Sequence, residues 1–318
     1  MTNKSITPYL SIIGLLLVGA IGWYVFSLRL DDDPRGLAQP TPFDQTQDKL
    51  DPVMFDGQRA YADVKAQVAL GPRTPGSEGH DQVRAWMVEA LLKAGWQVEV
   101  QASEALGHTV YNIIARRNDE SPQIIIGAHY DSRIFADNDP DLANRAKPVP
   151  GANDGASGVA VLLEIARSLP EDTIPVWLVF FDAEDNGNIE GWDWILGSRE
   201  FVENNSFQPR AVIVVDMIGD ADLNIFKERN SNPELTDEIW AVAKSLGYES
   251  KFIPEYKYSM IDDHTPFLQA GLPAMDIIDF DYPYWHTTQD TPDKVSAESL
   301  EIVGKTLWTW VAQQSAQP

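Results

Sequence analysis

Short unbroken apolar runs alternate along the chain with stretches whose apolar residues recur at helical spacing. The runs fall at residues 123–128, 176–181, 211–215 and 274–278. Such runs, bounded by turn formers, suit strands buried on both faces. Helical spacing begins at 55–70, where Phe55, Tyr61, Val64 and Val68 share a face before Gly71-Pro72. It returns over 80–94 with Val83, Trp86, Met87, Ala90 and Leu91, closed by Gly95. Further helices are expected over 159–169, 197–203, 234–246 and 297–312, with a short one at 263–270. Residues 96–100 alternate in polarity and, with 109–115, predict an antiparallel pair that opens the sheet. The alternation of helices with apolar strands indicates an α/β fold. It predicts one domain, a mixed and mostly parallel sheet with helices on both faces. No internal repeat is evident.

One apolar stretch is longer. Residues 9–28 carry no charge; Lys4 precedes them, and Arg29 and Asp31-Asp32-Asp33 follow. That length spans a bilayer. No small-x-small cleavage site follows, and without cysteine there is no lipoprotein acylation site. The expectation is an uncleaved transmembrane signal-anchor within 1–30 and a juxtamembrane linker rich in Pro, Asp and Gln at 31–51. A catalytic domain at 52–318 would then lie outside the cytoplasm, with the membrane as a partner.

Charge narrows the partners. A net charge of -24 excludes nucleic acid, because nothing would neutralise phosphates. An acidic cleft suits a substrate with a free amine, although much of this charge serves only to solvate the surface. The absence of cysteine excludes disulfides, a thiolate metal site and a cysteine nucleophile.

The candidate chemistry lies where the apolar runs stop. The run 123–128 ends in His129-Tyr130-Asp131-Ser132, 176–181 in Asp182-Ala183-Glu184-Asp185, and 211–215 in Asp216. The last run leads to Tyr284-Trp285-His286, and Asp154 sits in the Gly-rich turn 151–158 ahead of a helix. In a parallel sheet these ends share one edge, so residues distant in sequence converge there. Adjacent carboxylates raise each other's pKa, and a metal ion keeps them charged while one is left over as a base. Two imidazoles with several carboxylates make a zinc donor set. Singly, each residue has a plain structural role: a hydrogen-bonded histidine, or an aspartate capping a turn. Together they point to a metal centre. Asp137, Asp139 and Asp141 also alternate, but a calcium loop would need Gly and Glu where the chain has Leu142 and Pro148. That segment reads as a solvated loop.

The ordered set His129-Tyr130-Asp131-Ser132, Asn153-Asp154-Gly155, Glu184-Asp185, Asp216, Asp263-His264-x-Pro266-Phe267 and His286-Thr287 resembles the M28 family of zinc aminopeptidases. The glutaminyl-peptide cyclotransferases, or glutaminyl cyclases, belong to that family. The resemblance covers about 55–314. For an aminopeptidase it implies two zinc ions bridged by Asp154, one completed by Asp185 and His286, the other by His129 and Asp216. Glu184 would be the general base. For a cyclase it implies one zinc on Asp154, Asp185 and His286, with Glu184 and Asp216 handling protons. Both branches usually carry Glu-Glu where this chain has Glu184-Asp185, so its ligand is one methylene shorter.

Three features lean towards the cyclases. Asp262 supplies a second acid before His264 and would join a proton network with Glu184 and Asp216. Trp285 precedes His286 and could wall a glutaminyl side chain. A long loop, 186–196, carries Trp192 and Trp194. The expected reaction is conversion of an N-terminal glutamine of a peptide or protein to pyroglutamate with loss of ammonia. The alternative is removal of N-terminal residues by a two-zinc aminopeptidase. An inactive binding ectodomain is a minor alternative and predicts lost ligands; none is lost.

Overall fold

The computed structural model describes residues 54–314. Two helices come first: α1 (Gly57–Ala69), capped by the Asp56 carboxylate, and α2 (Glu78–Lys93), capped by the Ser77 hydroxyl. Capping oxygens of this kind satisfy N–H groups that a first helical turn leaves free. β1 (Gln97–Ala105) and β2 (His108–Arg116) then form the expected antiparallel hairpin. The chain continues through β3 (Ile124–His129), α3 (Ala156–Ser168), β4 (Val176–Phe181), α4 (Leu196–Asn204) and β5 (Ala211–Asp216). Then follow β6 (Ile225–Lys227), α5 (Pro233–Ser245), β7 (Phe252–Tyr256), α6 (Thr265–Gln269), β8 (Ala274–Ile278) and α7 (Ala297–Gln314).

Six strands form the main sheet in the order β1-β2-β4-β3-β5-β8. β4, β3, β5 and β8 run parallel to one another, and β2 joins β4 antiparallel. Their side chains alternate between two apolar layers. Ile124, Ile126, Leu178, Phe180, Ile213 and Val215 face the layer that includes α1, α3, α5 and α7. Ile125, Val179, Phe181, Val212 and Val214 face Phe201 and Phe267 of α4 and α6. Burial on both faces explains why these strands read as unbroken apolar runs. The expected mixed, mostly parallel α/β sandwich is therefore present.

β3 lies between β4 and β5, so the connections after β3 and after β4 leave towards opposite sides. Open α/β sheets place ligands at such a point, beyond the carboxyl ends of the strands. α3 starts there and rides close to the sheet. A Cβ on Gly158 would come within 2.6 Å of the Val215 carbonyl oxygen, so only hydrogen fits.

The structure corrects several expectations. The pattern gave no sign of β6 and β7, a small parallel pair outside the main sheet. The short helix starts at Thr265, not at residue 263. The loop after β3 is not simply solvated: Asp139 is buried and accepts from the Thr288 N–H and hydroxyl. The anchor placed at 9–28 and its linker lie outside the described residues. Among the described residues no helix is long and apolar enough to cross a membrane. The described residues thus give no support to the reading of a membrane-anchored, extracytoplasmic protein, which is not carried further, and the fold class they show is the α/β sandwich.

Candidate metal centre

The carboxyl edge of the sheet gathers the residues singled out in the sequence. His129 ends β3 and Asp216 ends β5, and the parallel β3–β5 ladder sets them side by side. His129 Nε2 lies 3.1 Å from Asp216 Oδ1 and 3.2 Å from Asp154 Oδ1. On the other side of Asp154, His286 Nε2 lies 2.8 Å from Asp185 Oδ1 and 3.8 Å from Asp154 Oδ2. Two donor groups result, His129–Asp154–Asp216 and Asp154–Asp185–His286, both buried, with ligand atoms within 4.8 Å of one another in each. Asp154 belongs to both and offers one oxygen to each.

Neighbouring backbone explains how Asp154 is aimed. Gly155 has φ +94, and a Cβ there would meet the Asp131 carbonyl oxygen at 2.6 Å. Any other residue would be strained and would push α3 away from the strand end. The Asp290 carboxylate accepts from the N–H groups of Asn153 and Asp154 at 2.8 and 3.1 Å, and the Tyr282 hydroxyl donates to it. Arg73, fully buried, donates to the carbonyls of Tyr130, Pro150, Gly151 and Asp154. The Asp131 carboxylate accepts from the N–H groups of Glu184 and Asp185 and from the Asn186 amide.

Three non-glycine residues at this edge have left-handed backbone: Ala183 (φ 52), Met217 (φ 47) and His286 (φ 56). They precede Glu184, follow Asp216 and include one donor. Each such residue costs about 1–3 kcal/mol and persists only where its surroundings over-determine it.

The charges are strongly perturbed. Burial pushes Glu184 well above the usual carboxylate range, reinforced by the charges of Asp185, Asp262 and Asp263 and opposed by His129. Burial, with the charge of Asp154, raises Asp185 to about 6. Asp216 rises to about 7 through burial and the charges of Asp262 and Asp154. For Asp154, burial is outweighed by the His129 hydrogen bond and the charges of His129, His286 and Arg73, so its pKa falls. Burial opposes charge on both histidines. The charge of Asp216 and hydrogen bonds to Asp131, Asp154 and Asp216 nevertheless raise His129 well above its ordinary value. The charge of Asp185 and hydrogen bonds to Asp137 and Asp185 raise His286 to about 9.

A divalent cation fits this donor set. Asp154 Oδ2 and Asp185 Oδ2 are buried without a hydrogen-bond partner, which is costly for a carboxylate. Imidazole with carboxylate is a zinc donor combination, and the two groups are candidate sites for zinc.

Glu184 lies beside the donor groups and belongs to neither. It enters, with Asp262, a cavity of about 280 Å³ that also reaches Asp154, Asp185 and Asp216. Trp194, Met260, Phe280 and Trp285 form its apolar walls. The Trp285 ring lies 3.8 Å from that of His286 and packs edge-on against Phe280. All residues proposed from sequence are thus brought together: Asp154, Asp185, His286, His129, Asp216, Glu184, Asp262 and Trp285. Trp192, by contrast, stacks on His108 away from the cavity. The pattern assigned no roles to Asp131, Asp290 and Arg73. Asp131 stands two residues after His129 and could have been suspected; nothing local marks the other two.

Comparison with known proteins agrees with this geometry. The profile described as Peptidase family M28 matches residues 112–311. The solved structure of Tannerella forsythia glutaminyl cyclase is 35% identical with TM-score 0.75, covering 81% of this chain and 98% of its own. A Bacteroides thetaiotaomicron protein described as a leucine aminopeptidase precursor is 33% identical with TM-score 0.77, covering 82% and 98%. The glutaminyl-peptide cyclotransferase of Bothrops jararaca is 28% identical over 293 residues, 76% of this chain and 77% of that protein.

Proposed function

The chain belongs to peptidase family M28, and we propose that it is a zinc enzyme acting on the free N-terminal residue of peptides, with a centre of the two-metal aminopeptidase type. The observation that carries this reading is the pair of complete donor groups sharing Asp154. That arrangement backs a two-zinc aminopeptidase better than a one-zinc cyclase, because no donor of the second ion is missing. The catalytic domain would run over 52–318, a boundary that rests on sequence alone.

Bound zinc would supply Lewis acidity at the substrate carbonyl and keep the carboxylates ionised. The remaining roles fall to the chain. Glu184 would take a proton from the attacking group and return it to the departing amine, as its place in the cavity beside both donor groups allows. The acidic wall would receive the substrate's α-ammonium group. Trp285 and Trp194 would pack against its first side chain.

A specific observation favours a second reading, glutaminyl cyclisation. Asp262 places an extra carboxylate in the cavity, and its charge raises both Glu184 and Asp216. Similarity to proteins named as cyclases supports the same chemistry. Here the substrate's own α-amine would attack its γ-carbonyl, and Glu184 would pass the amine proton to the leaving ammonia. Asp216 and Asp262 would assist Glu184 in handling that proton. Ring closure is intramolecular, so positioning would supply much of the rate.

One experiment separates the two. The protein is purified without chelator, zinc per chain is measured by elemental analysis, and Leu-initiated and Gln-initiated peptides are followed by mass spectrometry. Two zinc ions with release of free leucine would support the aminopeptidase. One zinc, an intact Leu peptide and loss of ammonia from the Gln peptide would overturn it in favour of the cyclase.

A further inference from the structure

The two donor groups are held by different parts of the chain. His129 and Asp216 are the last residues of sheet strands, whereas Asp185 and His286 lie on loops outside any strand. Arg133, in the loop after β3, reaches the Asp185 loop directly and the His286 loop through Asp137. It is buried, and its guanidinium grips Asp137 in a fork, Nε to Oδ1 at 2.9 Å and Nη2 to Oδ2 at 2.6 Å. The same guanidinium donates to the carbonyls of Asp185 (2.9 Å) and Gly187 (3.2 Å) and lies over the Trp194 ring. Asp137 Oδ1 in turn lies 3.5 Å from His286 Nδ1, while Nε2 of that ring faces Asp185. The neighbouring Asn138 N–H donates to the His286 carbonyl.

We propose that Arg133 and Asp137 form a positioning pair that sets the metal affinity of the Asp154–Asp185–His286 group independently of the His129–Asp154–Asp216 group. The proposal rests on the reading of these groups as zinc sites. A carboxylate beside the non-ligating nitrogen of a metal-binding histidine fixes its tautomer and raises its basicity. Arg133 holds that carboxylate in place and pins the backbone of the second loop donor. Its fork geometry is needed for both tasks, and a lysine presents only a point charge. His286 has left-handed backbone, so its orientation depends on such outside contacts. The other group has its own partner, Asp131, 3.4 Å from His129 Nδ1. Among the described residues neither Arg133 nor Asp137 forms a hydrogen bond or ion pair with His129 or Asp216; the two donor groups meet only through the shared Asp154 and through Asp131, which also accepts from the Asp185 N–H.

The test is a zinc titration of the metal-free protein against a competing chelator, on wild type, Asp137→Ala and Arg133→Lys, with thermal unfolding of the metal-free forms measured alongside. Asp137 is half-exposed, but its removal leaves the buried Arg133 guanidinium without its fork partner, a cost that the unfolding of the metal-free forms reads separately from zinc affinity. One zinc step should weaken by about 10–100-fold in each variant while the other is unchanged. Combined with His129→Ala the loss should persist; combined with His286→Ala it should disappear. Equal weakening of both steps, or lower thermal stability with both affinities unchanged, would reduce the pair to a structural brace and overturn the proposal. A wild type that binds one zinc would sink the two-metal reading alone, since the pair is then tested on that ion.

Discussion

The same strands build two regions of opposite character. Across β3, β4 and β5 the body of the sheet is apolar and packed on both faces, with Ile126, Phe180 and Ile213 fully buried. One residue further along the chain, the carboxyl edge is equally buried but charged. It contains unpaired carboxylate oxygens and three left-handed non-glycine residues. The body lowers the free energy of the fold through burial, on the order of 1.5–3 kcal/mol for each large apolar side chain. The edge raises it, through desolvated charge and backbone strain. The contrast implies that the body stabilises a donor set that could not hold itself together. Stability and activity should then respond to different substitutions.

The largest effect should come from crossing the two regions. Glu184→Gln should lower turnover by about 10²–10⁴-fold with zinc content unchanged. Phe180→Ala, in the body, should instead lower unfolding stability by about 3–5 kcal/mol in a denaturant titration. If Glu184→Gln retained activity, the edge would lose its proposed base, and with it the separation of roles.

A smaller effect should appear when metal is loaded. Against the effect of burial, the carboxylates around them raise His286 to about 9 and His129 well above its ordinary value, which favours the protonated form of both in the metal-free protein. Each must lose its proton to become a ligand. Zinc binding should therefore release protons at pH 7, and the apparent affinity should climb as pH rises towards 9. Calorimetry in buffers of different ionisation enthalpy would detect this. A binding heat independent of buffer would mean that the edge is already neutral.

The smallest effect concerns Asp276, a buried carboxylate on β8 whose oxygens have no hydrogen-bond partner. Burial, then the charges of Asp262 and Asp216, raises its pKa well above the ordinary value. A carboxyl group raised in the folded state contributes stability that is complete below its unfolded pKa and is lost as pH rises through the folded one. Asp276→Asn should thus raise the melting temperature at pH 8 more than at pH 4. An equal shift at both would show that charge at this position is immaterial.

Much of this architecture was legible in the chain. The runs ending at His129, Phe181 and Asp216 are local patterns, and a strand buried on both faces can be written in few other ways. The donors were legible for the same reason, since polar residues closing apolar runs on one sheet edge must converge. Arg133 and Asp137 were not, because an arginine in a polar loop looks like solvated surface until its partners are known. β6 and β7 were missed because β6 is only three residues long and neither strand joins the main sheet. The loop carrying Asp139 was misread because the Thr288 groups it binds lie 149 residues away.

By itself, then, the sequence determined the strands of the main sheet, the helices between them and the chemical kind of the site, all set by short-range pattern. The family resemblance already implied that Asp154 belongs to both donor groups; only the tertiary structure decided that it offers one oxygen to each. It also decided that Arg73, Asp131 and Asp290 fix the backbone beneath them, and that one group hangs from strands while the other hangs from loops. Those outcomes depend on contacts such as Asp290 with Asn153, 137 residues apart, where nothing in either neighbourhood encodes the other.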